Sequence, residues 1–266
     1  MEAAVRIAIV GCGEVGTTYL RALAEHGEHD VVVVDPAPRD PLREIVAAGG
    51  PTLLAEPGEA LTGADVVWLC VAGDIAHEVI AGLRPWLRPG ARVLDLTTAS
   101  PDDKHRSAAL LADHATYVDV VIMGAIAMGG VATPLLAAGP EASAATTELA
   151  AIGAPVRVLP GAGPGDAAAL KLLRSILTKG IEALGVECLA AAEALGVREE
   201  LPVVLADIDA GGLTPFVEAV VRTHPQHAER RRHEVHRAGR QLADLGRPSA
   251  LVDAVEARFA ATVDAT

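Results

Sequence analysis

Aromatic side chains are nearly absent from this chain. They make up 2 % of its 266 residues, while apolar residues make up 51 %, so Ala, Val, Leu and Ile must fill the core. Cysteine is scarce too. Cys12, Cys70 and Cys188 lie too far apart for a disulfide framework or a metal-ligand spacing. The histidines form no tight cluster with acids or cysteines, so no metal is expected. Positive charge is in deficit. A net charge of -13 repels nucleic acid and anionic lipid, which excludes both as expected partners. The opening MEAAVRIAIVG has no basic n-region with a cleavage site, and the expectation is a cytoplasmic protein. Residues 120–140 are charge-free and long enough to span a bilayer. Gly129, Gly130 and Pro134 interrupt them, and their ends read as two short buried strands, so no membrane span is expected.

What is present is a regular alternation. The apolar runs VRIAIVG, DVVVVD, ADVVWLCVAG, ARVLDLT and YVDVVIMG read as strands buried on both faces. Helical spacings separate them, including one with Val15, Tyr19 and Leu23 on one face and one with Ser100 as N-cap and Pro101 at its first position. Buried strands alternating with helices predict a mostly parallel sheet covered on both sides. From Asp166 onward the strand signals stop. The run beginning DAAALKLL predicts one helix of about 30 residues, roughly 45 Å long. The expected architecture is therefore α/β. A doubly wound Rossmann domain spans residues 1–162, and an all-helical domain for substrate and dimerisation spans residues 163–266, entered through the long helix.

Gly11, Cys12, Gly13, Glu14, Val15 and Gly16 form a G-x-G-x-x-G segment between the first strand and the first helix. Gly11 permits a tight turn, Gly13 lets the backbone approach a pyrophosphate, and Gly16 lets helix and strand pack closely. The helix N-terminus then offers N–H groups and a positive dipole end to phosphates. Asp35 ends the next strand, where a carboxylate accepts hydrogen bonds from the adenosine ribose and repels a 2′-phosphate. This favours NAD over NADP, with Arg39 nearby as the counterweight. Val71, Ala72 and Gly73 end another strand and are expected to line the same crevice.

The layout resembles the superfamily of 6-phosphogluconate dehydrogenase and the β-hydroxyacid dehydrogenases, and specifically a branch whose C-terminal domain has no assigned function. DLTTASP at 95–101, the helix starting ALKLLRS and the VDVVIMG…TPLLAAG segment carry the resemblance. It implies an interdomain helix with a catalytic Lys, and a substrate loop with hydroxyls at Thr97 and Thr98. We assign Thr97 to the cofactor and Thr98 to the substrate; the alternative is that both cap the helix from Pro101. Where relatives have Ser-Gly-Gly to hold a substrate carboxylate, this chain has Met123, Gly124 and Ala125. The family's K-x-x-x-N appears as Lys171 followed by Ser175. A second register, carried by KGIE at 179–182, places Ser175 at the lysine position and Lys179 at the asparagine position. Lys171, Ser175 and Lys179 recur every fourth residue and so stay near one helix face. The basic run 229–234, with Arg231 and His233, is a candidate anchor for an anionic substrate; the alternative is a solvated helix face.

Three functions follow. The first is an NAD-dependent dehydrogenase or reductase of a small, polar, anionic hydroxy or oxo compound, working as a homodimer. The second is an imine or enamine reductase. The third is a non-catalytic dinucleotide-binding sensor.

Overall fold

The first strand, Arg6–Val10 (β1), sends alternate residues to opposite sides of the sheet. Ile7 and Ile9 join one apolar cluster, and Ala8 and Val10 join another. Both faces are covered, as befits a central strand of a parallel sheet. The structure is a computed structural model and describes residues 5–26 and 29–265. Met1–Ala4, the start of the segment inspected above for a leader, lie outside the described residues.

The chain continues through Glu14–His26 (α1), Asp30–Val34 (β2), Asp40–Ala47 (α2), Thr52–Leu54 (β3), Val66–Leu69 (β4), Ala76–Leu83 (α3), Arg92–Asp95 (β5), Pro101–Leu111 (α4) and Thr116–Ile122 (β6). Ile126–Gly129 (α5), Leu135–Ala138 (β7), Ala142–Ala145 (α6), Thr147–Ala151 (α7) and Val156–Val158 (β8) complete the sheet region. Among the described residues the strands form one sheet in the order β3-β2-β1-β4-β5-β6-β7-β8. Every neighbouring pair is parallel except β6 and β7, where the loop through α5 reverses the chain. The order changes direction at β1, so a crevice opens at the C-terminal ends of β1 and β4, where doubly wound sheets bind ligands. The ends of residues 120–140 are indeed β6 and β7, and among the described residues no helix is long and apolar enough to cross a membrane.

Asp166–Leu195 (α8) is a single helix of 30 residues. The chain divides into two compact units after Arg174, inside this helix and not ahead of it at Gly163. The reason lies in the helix's first turn. Ala167 and Ala168 are buried with Val121, Leu136 and Ala138 of the sheet, and the Asp119 carboxylate accepts the N–H groups of Gly165 at 3.1 Å and Ala168 at 2.9 Å.

The second unit contains the rest of α8, then Leu201–Val204 (α9), Ala206–Gly211 (α10), Leu213–Arg222 (α11), His224–Asp244 (α12) and Ala250–Val263 (α13). Helices α12 and α13 pack on one another. Ser249 caps α13, its side chain accepting the Val252 N–H at 3.3 Å.

Candidate active site

The Gly-rich loop is held by backbone crowding. Gly11 has φ +82°, and a Cβ there would lie 2.7 Å from Val71 Cγ1. A Cβ on Gly16 would lie 2.2 Å from the Gly11 carbonyl oxygen. Only glycine fits either place. Gly13 differs: a Cβ on it would meet nothing within 4 Å, so the space above it is open to a ligand. The first N–H groups of α1 have no intrahelical partner by construction and border this space. A groove of about 510 Å³ runs along it, lined by Cys12, Gly13, Glu14, Thr17, Arg21 and Arg39 among others. Open space over Gly13, a helix N-terminus and two nearby guanidinium groups fit the phosphates of a dinucleotide.

Asp35 sits just beyond β2. One carboxylate oxygen accepts the Cys12 N–H at 2.7 Å and the other accepts the Ala37 N–H at 2.8 Å. The Cys12 amide is thereby committed to the protein, so Cys12 shapes the loop and does not offer its N–H to phosphate. Its thiol is buried beside the Thr17 hydroxyl, and burial pushes its pKa up to about 11, which keeps it an inert thiol. Val71, Ala72 and Gly73 follow β4, with Val71 against Gly11 as noted.

The loop after β5 separates the two threonines. Thr97 is buried; its N–H donates to the Asp95 carboxylate at 3.0 Å and its hydroxyl accepts the Ala99 N–H at 3.3 Å. It therefore shapes the loop that carries Thr98. Thr98 is exposed, and its hydroxyl accepts a hydrogen bond from Lys171 Nζ at 2.8 Å. Neither threonine caps α4. Ser100 does, its hydroxyl accepting the Asp103 N–H at 3.1 Å. Lys171 is half-buried. Burial holds its pKa below the usual lysine range, the neighbouring Lys104 and Arg174 push the same way, and Asp119 opposes them. Met123, Gly124 and Ala125 follow β6 and present no hydroxyl. The Met123 N–H is given to Pro134 O at 2.8 Å.

Beneath Thr98 and Lys171 lies a charge cluster that sequence reasoning missed. Lys104 of α4 is 0 % exposed. Its ammonium lies 2.9 Å from Asp95 Oδ1 and 3.2 Å from Asp119 Oδ1, and it donates to the Asp95 carbonyl at 2.8 Å. Tyr117 donates its hydroxyl to Asp95 Oδ2 at 2.6 Å. Burial and the Asp95 charge push the Tyr117 pKa upward, so the phenol stays protonated and remains a donor. The signal available was DDKHRS, a hydrophilic string that reads as an exposed first turn.

The remaining expected residues belong to the second unit. Ser175 is its first residue, one turn beyond Lys171 on α8. Lys179 is exposed and pairs with Glu182 at 2.6 Å, the structural ion pair that helix spacing allows. Arg231 donates to Val220 O at 3.2 Å and to Thr223 Oγ1 at 2.9 Å, tying α12 to the end of α11. His233 lies 2.9 Å from Glu229 on its own helix. Among the described residues no group of His, Cys, Asp and Glu is arranged to hold a metal.

Comparisons with known proteins fit this geometry. The chain is similar to a conserved protein of unknown function with structural similarity to 3-hydroxyacid dehydrogenases, at 27 % identity, with 98 % of each chain covered and a TM-score of 0.66. It is similar to an imine reductase from Streptomyces aurantiacus at 19 % identity, covering 98 % of this chain and 95 % of the other, with a TM-score of 0.82. A reductive aminase from Aspergillus terreus, solved with NADPH and ethyl levulinate, matches at 19 % identity over 98 % and 94 % of the two chains, with a TM-score of 0.78. At those identities the last two show likeness of fold alone. Residues 192–262 match a domain of unknown function (DUF1932). Residues 6–161 match the NAD binding domain of 6-phosphogluconate dehydrogenase, and the chain belongs to that family.

Proposed function

We propose that the chain is an NAD-dependent dehydrogenase or reductase of a small, polar, anionic hydroxy or oxo compound, with Lys171 handling the proton on the reacting oxygen. The observation that carries this reading is the 2.8 Å hydrogen bond from Lys171 to Thr98 at the C-terminal edge of the sheet. A bound nicotinamide supplies or accepts hydride. The chain must supply the proton, and a lysine whose ammonium is destabilised by burial gives one up more readily than an ordinary lysine does. The exposed Thr98 hydroxyl holds Nζ in place and can exchange that bond for one to substrate oxygen. A panel of carbonyl and hydroxy compounds, followed by NADH absorbance, tests the reading. Tight dinucleotide binding with no turnover on any member would favour a sensor.

A second reading is reduction of an imine. The observation favouring it is the Met123-Gly124-Ala125 segment, which lacks the hydroxyl that would hold a substrate carboxylate. The named reductases of similar fold point the same way. Imines in the same panel separate the two.

For the cofactor, we assign NAD(H) over NADP(H). Asp35 is fixed by two backbone N–H groups beside the Gly-rich loop, and its charge would repel a 2′-phosphate. Fluorescence titration should give tighter binding of NADH than NADPH, and Asp35→Ala should narrow the gap. A clear NADPH preference in the unmodified protein refutes the assignment and shifts attention to Arg39 and Arg21.

We also assign a homodimer. Ile176 and Val186 of α8, with Val203, Val204 and Val221, are each more than 60 % exposed. Apolar surface on that scale marks an interaction face, and a second copy carries the same aliphatic surface to cover it. Light scattering at micromolar concentration should give twice the 27.2 kDa chain mass. A monomer overturns the assignment.

A further inference from the structure

A lysine with no solvent exposure is costly unless its charge and donors are met. Lys104 donates a hydrogen bond to the Asp95 carbonyl, and its charge is met by ion pairs to Asp95 Oδ1 at 2.9 Å and Asp119 Oδ1 at 3.2 Å. Each aspartate has a second task. Asp95 accepts the Thr97 N–H and so fixes the loop that carries Thr98. Asp119 accepts the Gly165 and Ala168 N–H groups and so fixes the opening of α8, the helix that carries Lys171. An anion at a helix N-terminus is also favoured by the helix dipole. The two segments that bring Thr98 and Lys171 to 2.8 Å are thus anchored on one buried ammonium.

We infer that Lys104 is a positioning residue of the reaction: its buried charge, shared by Asp95 and Asp119, binds the Thr98 loop to the first turn of α8 and sets the electrostatic surroundings of Lys171. This rests on the reading of Lys171 as the proton carrier. The charge count explains why an ammonium serves where an apolar side chain would fill the space more cheaply. Asp119 without a cation beside it would favour the charged form of Lys171. Lys104, paired with Asp119, offsets that pull, so Lys171 is held in position without being locked in its charged form. Charged groups acting on Lys171 include Lys104 from α4, Asp119 from β6 and Arg174 from its own helix. Burial, Lys104 and Arg174 favour the neutral amine, and Asp119 opposes them.

The test reads Lys171 directly and needs no substrate. Competitive acetylation with acetic anhydride across a pH series, with the Lys171 peptide quantified by mass spectrometry, gives the pH at which its amine becomes reactive. Lys104→Met should move that pH upward, because the cation that opposes the charged amine is gone while Asp119 remains. Asp119→Asn should move it downward, and Lys104→Arg, which keeps the charge, should leave it near the parent value. A purely structural staple predicts no opposed shifts. If both Lys104→Met and Asp119→Asn leave the profile unmoved, or move it the same way, the inference is overturned. If Lys104→Met fails to fold by circular dichroism, the Asp119→Asn and Lys104→Arg arms decide. The outcome is separable from the functional reading. Opposed shifts with full turnover in Lys171→Ala would sink the proton-carrier role alone, and loss of turnover in Lys171→Ala with no shifts would sink the role of Lys104 alone.

Discussion

Lys171→Ala should lower turnover by about 10²–10⁴ on whichever substrate the panel identifies, with dinucleotide affinity nearly unchanged. The size is that of losing one positioned acid–base group. The selectivity follows from place: Lys171 contacts Thr98 in the loop after β5, whereas the Gly-rich loop and Asp35 follow β1 and β2. Lys179→Ala should change turnover far less, since its ammonium is spent on Glu182 at the surface. The pH profile carries the sign. Lys171 has a pKa below the ordinary lysine value. In the direction of carbonyl reduction the protonated form is the active one, so the rate should fall as pH rises through that lowered pKa. In the oxidative direction the neutral amine is needed, and the rate should rise over the same interval. Stopped-flow or steady-state rates over a pH series check both limbs. Equal turnover in Lys171→Ala and the parent would remove the lysine mechanism and leave the imine and sensor readings in front.

How far the sequence could be read depended on the kind of residue. The Rossmann half was legible because its strands are continuous Val, Ile and Leu runs, and burial on both faces requires that pattern. Gly11 and Gly16 were legible because the turn leaves no room for a side chain: an added Cβ would lie 2.7 Å from the Val71 side chain at the first and 2.2 Å from the Gly11 carbonyl oxygen at the second. The length of α8 was legible from its Ala and Leu content. The two registers for the expected lysine were not separable by spacing, since residues four apart share a helix face. What distinguishes Lys171 from Lys179 is a contact across 73 positions of sequence, which no local pattern encodes. Thr97 and Thr98 are adjacent and chemically alike, yet one is buried in its own loop and the other exposed, a difference set by Asp95. Lys104 was the largest omission. Its neighbours in DDKHRS are polar, and its burial depends on two aspartates at the end of one strand and inside another.

Lys104→Met should destabilise the first unit by about 3–5 kcal/mol, the usual cost of removing one partner from a buried ion pair. The side chains are similar in length, so little of the loss comes from a cavity. It comes from Asp95 and Asp119, which would remain at 0 % exposure as two like charges with no cation between them. Asp119 keeps its two backbone donors and Asp95 keeps Thr97 and Tyr117, so the fold should be weakened before it is lost. The measurement is clean because the chain has two tryptophans, Trp68 and Trp86, both in the first unit. Urea unfolding followed by tryptophan fluorescence therefore reports on the sheet domain, while circular dichroism is dominated by the helices. The tryptophan transition should move to lower urea. A triple variant, Lys104→Met with Asp95→Asn and Asp119→Asn, tests the cause. Removing all three charges leaves no uncompensated ion, so much of the lost stability should return, even though more native contacts have been deleted. A Lys104→Met midpoint within experimental error of the parent would mean that the cluster is solvated or protonated in solution, and that its charge does not hold the Thr98 loop to α8.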